Sequence, residues 1–532
     1  MAKATFTKSE TKEARIYRLR WWTLATIAIS VLVTILDTTV VTVALPTIQR
    51  QLTATSSELM WMMNAYTMIL GALVITMGSL SDRFGKGKLL QIGLAVFGIS
   101  SLGAILSSSP IQLIISRIFM GAGASMILPC TLSIITDVFP VKERGQAIGI
   151  WAGLNAVGIA LGPIIGGLLV EHFKWNSIFM INLPVVIIAL ILGWFFVPNT
   201  KDNHPRKLDL IGNLLSLSGL AALVYGLING GSRGWTDAQV MGALFGSVVI
   251  IGLFILWERR TREPMLELGF FRNTLFSSGI GILVVMGLAI NGFMYVGTYY
   301  LQFVQGYDPL GMGLRIIPFA CGMLIGSVLA NKFVKRFGTR WVMSIGFIGT
   351  SVVFFFMSLL KIETSFWLLG VEFVLFGLFT GNISAPVTNI IMSALPKGQT
   401  GIGSAINNTF RQIAGTIGVA ITGSILGSVY TSHFLHSAAT ISGLPAALTQ
   451  KASNSVGMAI GIANSGQLPA ALSNALTQTA RESFMSGWHV IMLICCGILL
   501  VGAVIVLKFV PKRQGISKQD VTQASPQHEN KG

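Results

Sequence analysis

The sequence predicts an all-α integral membrane protein with fourteen transmembrane helices. Three observations carry that prediction. Apolar residues make up 52% of the 532-residue chain and charged residues only 11%, with a mean hydropathy of +0.72. The apolar residues come in blocks of about twenty, the length a helix needs to cross roughly 30 Å of hydrocarbon, rather than in amphipathic stripes. Lysine and arginine gather in alternate connections between those blocks. Helices suit such blocks because a helix satisfies its own backbone hydrogen bonds in lipid.

Taken in order, residues 1–21 form a basic tail, and six spans follow near 22–45, 58–80, 89–108, 111–138, 146–170 and 177–197. Two more fall near 210–229 and 238–256, and a last six near 275–304, 311–331, 341–360, 365–394, 401–430 and 485–508. An even number puts both ends on one side. Of 37 Lys and Arg, 28 lie in the tails and in the connections on that side, which the positive-inside rule makes cytoplasmic. The net charge of +17 is thus an orientation signal, and no nucleic-acid partner is called for. The first span is too long for a cleaved signal peptide and contains Asp37, so it reads as a retained helix of a multi-pass protein of the cell membrane. Cys130, Cys321, Cys495 and Cys496 all fall within spans and read as packing residues.

Arg83-Phe84-Gly85 returns as Arg336-Phe337-Gly338, and Gly145-Gln146 returns as Gly398-Gln399, both at an offset of 253. A common offset argues for a duplicated unit, a plan in which the substrate site lies near the midplane between two halves. The expected organisation is a six-helix bundle over 22–198, a linker with two extra helices over 199–260, a second bundle over 261–510, and a tail over 511–532. The extra pair reads as a peripheral hairpin. The loop 431–484, on the side opposite the basic one, is rich in Ala, Ser, Asn and Gly, and reads as a short surface hairpin with a lid or partner-docking role as one alternative.

Charges inside the spans are the candidates for chemistry, since each costs about 3 kcal/mol or more near the bilayer centre. Asp37 stands in VTILDTTVVTVALP and Arg117 in the fourth span. Helical rise places them roughly 13 Å and 9 Å from the outer ends of their helices, depths compatible with contact. Arg117 alone would snorkel outward; paired, it opposes the effect of burial on Asp37, and the opposition suits a group that exchanges a proton. Glu372, about a third of the way into its span, is either a second proton or cation site or part of a polar network. Arg315 and Arg411 are the remaining cations within spans of the second half. Met60, Met62, Met63 and Met68, around Trp61 and Tyr66, suit adaptable apolar contacts or plain packing.

Four stretches resemble the major facilitator superfamily, and in particular its 14-helix drug:proton antiporter family. VTILDTTVVTVALP is similar to LDxTVVNVALP, with Thr42 in place of asparagine. Leu113-x3-Arg117-x3-Gly121 is similar to a fourth-helix motif, with Met120 in place of glutamine. Gly78, Asp82, Arg83, Gly85 and Lys88 resemble the signature loop between spans two and three. Gly87 departs from it, and the second copy has Lys335 where Asp82 stands. Gly149, Gly158, Gly162, Pro163, Gly166 and Gly167 resemble the antiporter motif of exporters; read as residues alone, they are small side chains that let helices approach. The stretches around Arg315 and Arg411 resemble that family's second half.

The resemblance implies two six-helix bundles plus two central-linker helices, a loop that latches the halves, and exchange of protons for lipophilic, often cationic, small molecules. Asp37, Arg117 and Glu372 would then serve proton coupling and substrate binding. The alternatives are an exporter of one endogenous metabolite or lipid, and an importer, against which the Gly-Pro motif argues. A membrane enzyme lacks a catalytic constellation: His204-Pro-Arg-Lys-Leu-Asp209 has the spacing of an acyltransferase pair but lies in a basic linker. No phosphate-binding loop, metal-ligand set or cofactor motif occurs in the sequence. An accessory envelope protein is compatible with such a chain, though no residue calls for one.

Overall fold

The computed structural model describes residues 2–511 except 202–207, 396–399, 440, 442 and 467. Side chains of residues 2–15 and 331 and of parts of 141–160 and 400–404 also lie outside the description. So do the His204 spacing, the Gly398-Gln399 repeat and the tail beyond 511.

The described residues form helices and no strand. The first half holds α1 (Ala2–Leu52), α2 (Ser56–Phe84), α3 (Lys86–Ile105), α4 (Pro110–Val138), α5 (Val141–His172), and the short α6 (Ser177–Met180) leading into α7 (Asn182–Phe196). Next come α8 (Leu210–Arg233) and α9 (Ala238–Arg260). The second half holds α10 (Thr274–Tyr299), α11 (Pro309–Arg315), α12 (Ile317–Phe337), α13 (Thr339–Met357), α14 (Phe366–Ser393), α15 (Thr400–Ala438), α16 (Ala446–Ala452), α17 (Val456–Ala463) and α18 (Ala470–Phe509).

Local chemistry sets the boundaries. Thr55 and Glu58 form a capping box at α2. Ser109 caps α4 just before Pro110, Asp308 caps α11 just before Pro309, and Asp209, Asp237 and Asn273 cap α8, α9 and α10. The repeat in sequence is a repeat in conformation. Gly85 (φ 111°) and Gly338 (φ 87°) occupy equivalent turns between α2 and α3 and between α12 and α13, in a region closed to most side chains.

Thirteen helices among the described residues are long and apolar enough to cross a membrane, one fewer than expected. The missing one is the fifth span, which falls on α5, where only 161–172 form a continuously described apolar segment. Three spans also differ in detail. The span near 311–331 is broken at Ile316, ahead of Pro318, into α11 and α12. The span near 275–304 ends in a π turn, Tyr300–Val304. The span near 485–508 begins at Ala470, because PAALSNALTQTARESF continues the helix.

The helices α8 and α9 pack as a hairpin against the rest of the bundle. α8 touches both halves: the Asn213 side-chain amide donates to Thr76 Oγ1 on α2 at 2.5 Å, and Ser428 Oγ on α15 donates to the Gly231 carbonyl at 3.3 Å. α9 packs on α8 and leaves most of its apolar surface exposed. The two halves meet along α2 and α15, where the Thr67 and Thr416 hydroxyls lie 2.8 Å apart.

Candidate functional site

The helix α1 carries Asp37 into the interior of the first half, where it is 1% exposed. One oxygen, Oδ2, accepts from Arg117 Nη1 on α4, forming an ion pair sealed from solvent. The other, Oδ1, accepts from the Asn182 side-chain amide at 3.1 Å, and Asn182 also reaches Ser101 Oγ on α3 at 3.3 Å. Arg117, 2% exposed, donates from Nε to the Met62 carbonyl at 3.1 Å and lies 4.3 Å above the Tyr66 ring. Five helices of one half thus converge on a single neutral pair. A charge in hydrocarbon is tolerable only when compensated and hydrogen-bonded, and both conditions hold here. The pairing makes Arg117 an internal group, so the snorkelling alternative is overturned.

Asn182, Ser101 and Tyr66 were not singled out as partners in the sequence. Asn182 did leave a signal, as a side-chain amide deep within an otherwise apolar span.

Glu372 lies in the second half on α14, apart from the pair. It is 6% exposed, and its Oε2 has no hydrogen-bond donor. Next to it in sequence, Phe373 packs 5.9 Å from Phe293 in a cluster that includes Phe354, Phe376 and Trp488.

On the basic face, Lys86 organises the signature loop. Its ammonium lies 2.8 Å from Asp137 Oδ2 on α4 and 3.8 Å from Asp82. Thr200 Oγ1 donates to the same Asp137 oxygen at 2.6 Å, and the Lys88 amide donates to Asn199 Oδ1 at 3.1 Å. Arg83 is exposed, with its guanidinium 5.7 Å from the Phe84 ring. Next to the tight turn at Gly85, Lys86 is the cation whose side chain turns inward. Gly78 faces Pro129 of α4. These ties join the first half to the start of the linker, at Asn199 and Thr200, and none of them reaches the second half.

The glycines of α5 meet two different elements. A side-chain carbon at Gly158 would press on Leu32 and Ile35 of α1, one at Gly162 would collide with Thr39, and one at Gly166 would lie 3.1 Å from Val40 Cα. At Gly167 the same atom would lie 2.5 Å from the Pro309 carbonyl and 2.6 Å from Leu310 Cα on α11, across the boundary between halves. Gly313 of α11 meets the Pro163 carbonyl in return. The surroundings of Gly149 lie outside the description.

Arg315 closes α11, stacked 3.5 Å from the Tyr307 ring and 4.9 Å from that of Phe366, so it belongs to the break between helices rather than to a span interior. Arg411 on α15 keeps its side chain exposed and forms no ion pair among the described residues.

The sequence pattern of the Major Facilitator Superfamily matches residues 27–419. Over 492 residues the chain is 30% identical to the tetracenomycin C resistance and export protein of Streptomyces glaucescens, covering 92% of this chain and 91% of that one. It is 32% identical over 490 residues to the multidrug efflux pump LfrA of Mycolicibacterium smegmatis, covering 91% and 95%. In three dimensions it resembles a bacterial homolog of the human lysosomal transporter Spinster, with a TM-score of 0.64 at 16% identity over 94% of this chain and 99% of that one. The sequence match across most of the chain, two near full-length relatives and the shared helical fold together place this chain in the Major Facilitator Superfamily.

Proposed function

We propose that this protein exports lipophilic small molecules, cations among them, in exchange for protons, by alternating access between its two halves. The observation that carries the reading is the sealed Asp37–Arg117 pair. Protonating Asp37 would leave Arg117 buried without its counter-charge, a state the surrounding apolar residues do not tolerate. The first half must then repack or admit water, and reforming the pair expels the proton. A proton is thereby converted into a choice between two arrangements, which is what coupling requires.

In this reading the basic face is cytoplasmic, as are both termini, and the protein sits in the cell membrane. The Lys86–Asp137–Asp82 cluster holds the first-half side of the latch, and the α5 glycines let α1 and α11 close against one another. Glu372 is a second proton or cation site, supported by its burial and its unpaired oxygen. Any lipophilic cation competing for Asp37 must do so after Arg117 has moved, since Asp37 is closed off in this arrangement. No step needs a cofactor.

The test is substrate-induced proton flux in proteoliposomes with wild type and Asp37→Asn. Loss of coupled export from a variant that still folds is expected; undiminished coupling would remove Asp37 from the mechanism. The similarity to the tetracenomycin exporter favours a second reading, an exporter of one metabolite on the same fold. A chemically diverse substrate panel separates the two.

A further inference from the structure

The linker hairpin carries two carboxylates that the transport reading does not use. Asp209 caps α8, and its Oδ1 accepts from the Gly212 amide at 2.8 Å and from the Trp257 indole at 2.9 Å. Glu258, 3% exposed in the last turn of α9, accepts through Oε2 from the Leu266 amide at 3.1 Å. One oxygen of each remains, Asp209 Oδ2 and Glu258 Oε1, both shut off from solvent and both without a donor. These two oxygens converge on one point. They lie 2.5 Å and 2.7 Å from where a side-chain carbon at Gly212 would sit, so glycine there leaves the gap between them open.

Among the described residues, neither carboxylate has a Lys or Arg partner within ion-pair distance. The charged groups on the surrounding elements are Arg259 and Arg260 on α9, both exposed, and Arg262, Glu263 and Glu267 in the connection that follows. Asp82 and Arg83 lie at the basic end of α2, and Arg411 lies on α15. Arg206 and Lys207 precede Asp209 in the segment outside the description. Two buried carboxylate oxygens that converge on one gap repel each other unless something positive lies between them, and no described cation does.

We propose that Asp209 and Glu258 share one proton, forming a proton site on the basic face that fastens the α9–α10 connection to α8. The position gives such a proton mechanical reach. Asn213, one turn beyond Asp209, holds α8 to Ala72 and Thr76 of α2, and Thr76 Oγ1 lies 3.5 Å from Met265 Sδ, beside Leu266. The clasp therefore sits where the chain leaves the first half for the second. With the proton in place, an O–H···O bond closes the gap. Without it two like charges face each other, and the Leu266 segment is released. The linker is tight at low pH on that face and loosens as pH rises, whatever is exported and whatever Asp37 does.

Hydrogen exchange at the Leu266 amide tests this, in the full-length protein in lipid nanodiscs, from mildly acidic to alkaline pH and normalised at each pH to an unstructured peptide. In wild type, protection is expected to fall by about tenfold per pH unit once the shared proton leaves. Glu258→Gln supplies an N–H donor in its place and should give high, pH-independent protection. Asp209→Asn, which keeps a capping oxygen, should do the same and carries the comparison if Glu258→Gln fails to fold. Asp37→Asn should retain the wild-type dependence, which separates this site from the coupling pair. A flat wild-type profile, or a dependence that survives in both linker variants, overturns the proposal. A profile shifted by a chelator would put a bound divalent cation in place of the proton and overturn it as well.

Discussion

Asp37 uses both oxygens and Arg117 spends its guanidinium on a carboxylate, a carbonyl and an aromatic face, so neither residue can be removed without stranding the other. Arg117→Met should therefore cost about 3–5 kcal/mol, the usual penalty for breaking a buried pair from one side. Adding Asp37→Asn should recover most of that loss, because the double variant leaves no uncompensated charge. Unfolding of the two single variants and the double variant in detergent measures the coupling; losses that simply add would mean that the two groups do not act as a pair. The charged members of this site were legible in the sequence, since an acid or a guanidinium in hydrocarbon is conspicuous on cost alone. Asn182 was passed over because an amide costs less and leaves a fainter mark. Nothing in the sequence sets Lys86 apart from its basic neighbours, because its inward turn depends on Asp137 and Thr200, which are 51 and 114 positions away.

Among the elements, α5 shows what a small-residue pattern can and cannot say. The spacing of Gly158, Gly162 and Gly166 announces close helix packing, but the partner is a matter of three dimensions: α1 along most of the stripe, α11 at its end. The glycine pairs that join α12 and α14 went unremarked for the same reason. Gly322 and Gly326 meet the backbone at Val374 and Leu378, while Gly377 and Gly381 meet Phe319 and Met323. Helix breaks went unread for different reasons: Pro318 marks the break at Ile316, whereas the π turn at Tyr300 sits in sequence about as apolar as the helix before it. The division within α5 yields a prediction. Gly162→Ala overpacks α5 against Thr39 and should destabilise the first half by about 1–3 kcal/mol. Gly167→Ala instead strikes the backbone of α11 and should leave that stability nearly unchanged while hindering closure of the halves. A cleft of about 440 Å³ at this junction, lined by Thr47, Arg50, Gln51, Val170, Glu171 and Pro309, offers the readout. A cysteine placed at Gln51 should react faster with a polar thiol reagent in the Gly167→Ala background than in the parent. Equal rates would mean that contact at Gly167 does not set closure.

At the scale of the whole molecule, the face opposite the basic one is tied shut between halves. The Gln302 side-chain amide, in the π turn, donates to the Val43 carbonyl at 2.8 Å. The loop 431–484 adds a strap: Tyr430 Oη donates to the Ala452 carbonyl at 3.0 Å, while the Gln49 amide of the first half donates to Ser455 Oγ at 2.6 Å and Ser56 Oγ to the Asn454 carbonyl at 3.1 Å. Its sequence suggested a surface hairpin. The low charge that made it look inert is what lets Val456, Gly457 and Ile460 of α17 bury themselves at the junction. If transport proceeds by rocking, these contacts must part once in every cycle. Cysteines at Gln49 and Ser455, joined by a short thiol cross-linker in a Cys321→Ser background that removes the exposed native thiol, should stop export, and a reducible linker should restore it on reduction. Undiminished export by the cross-linked protein would mean that the strap stays closed throughout, and that access on this face opens elsewhere along the boundary between the halves.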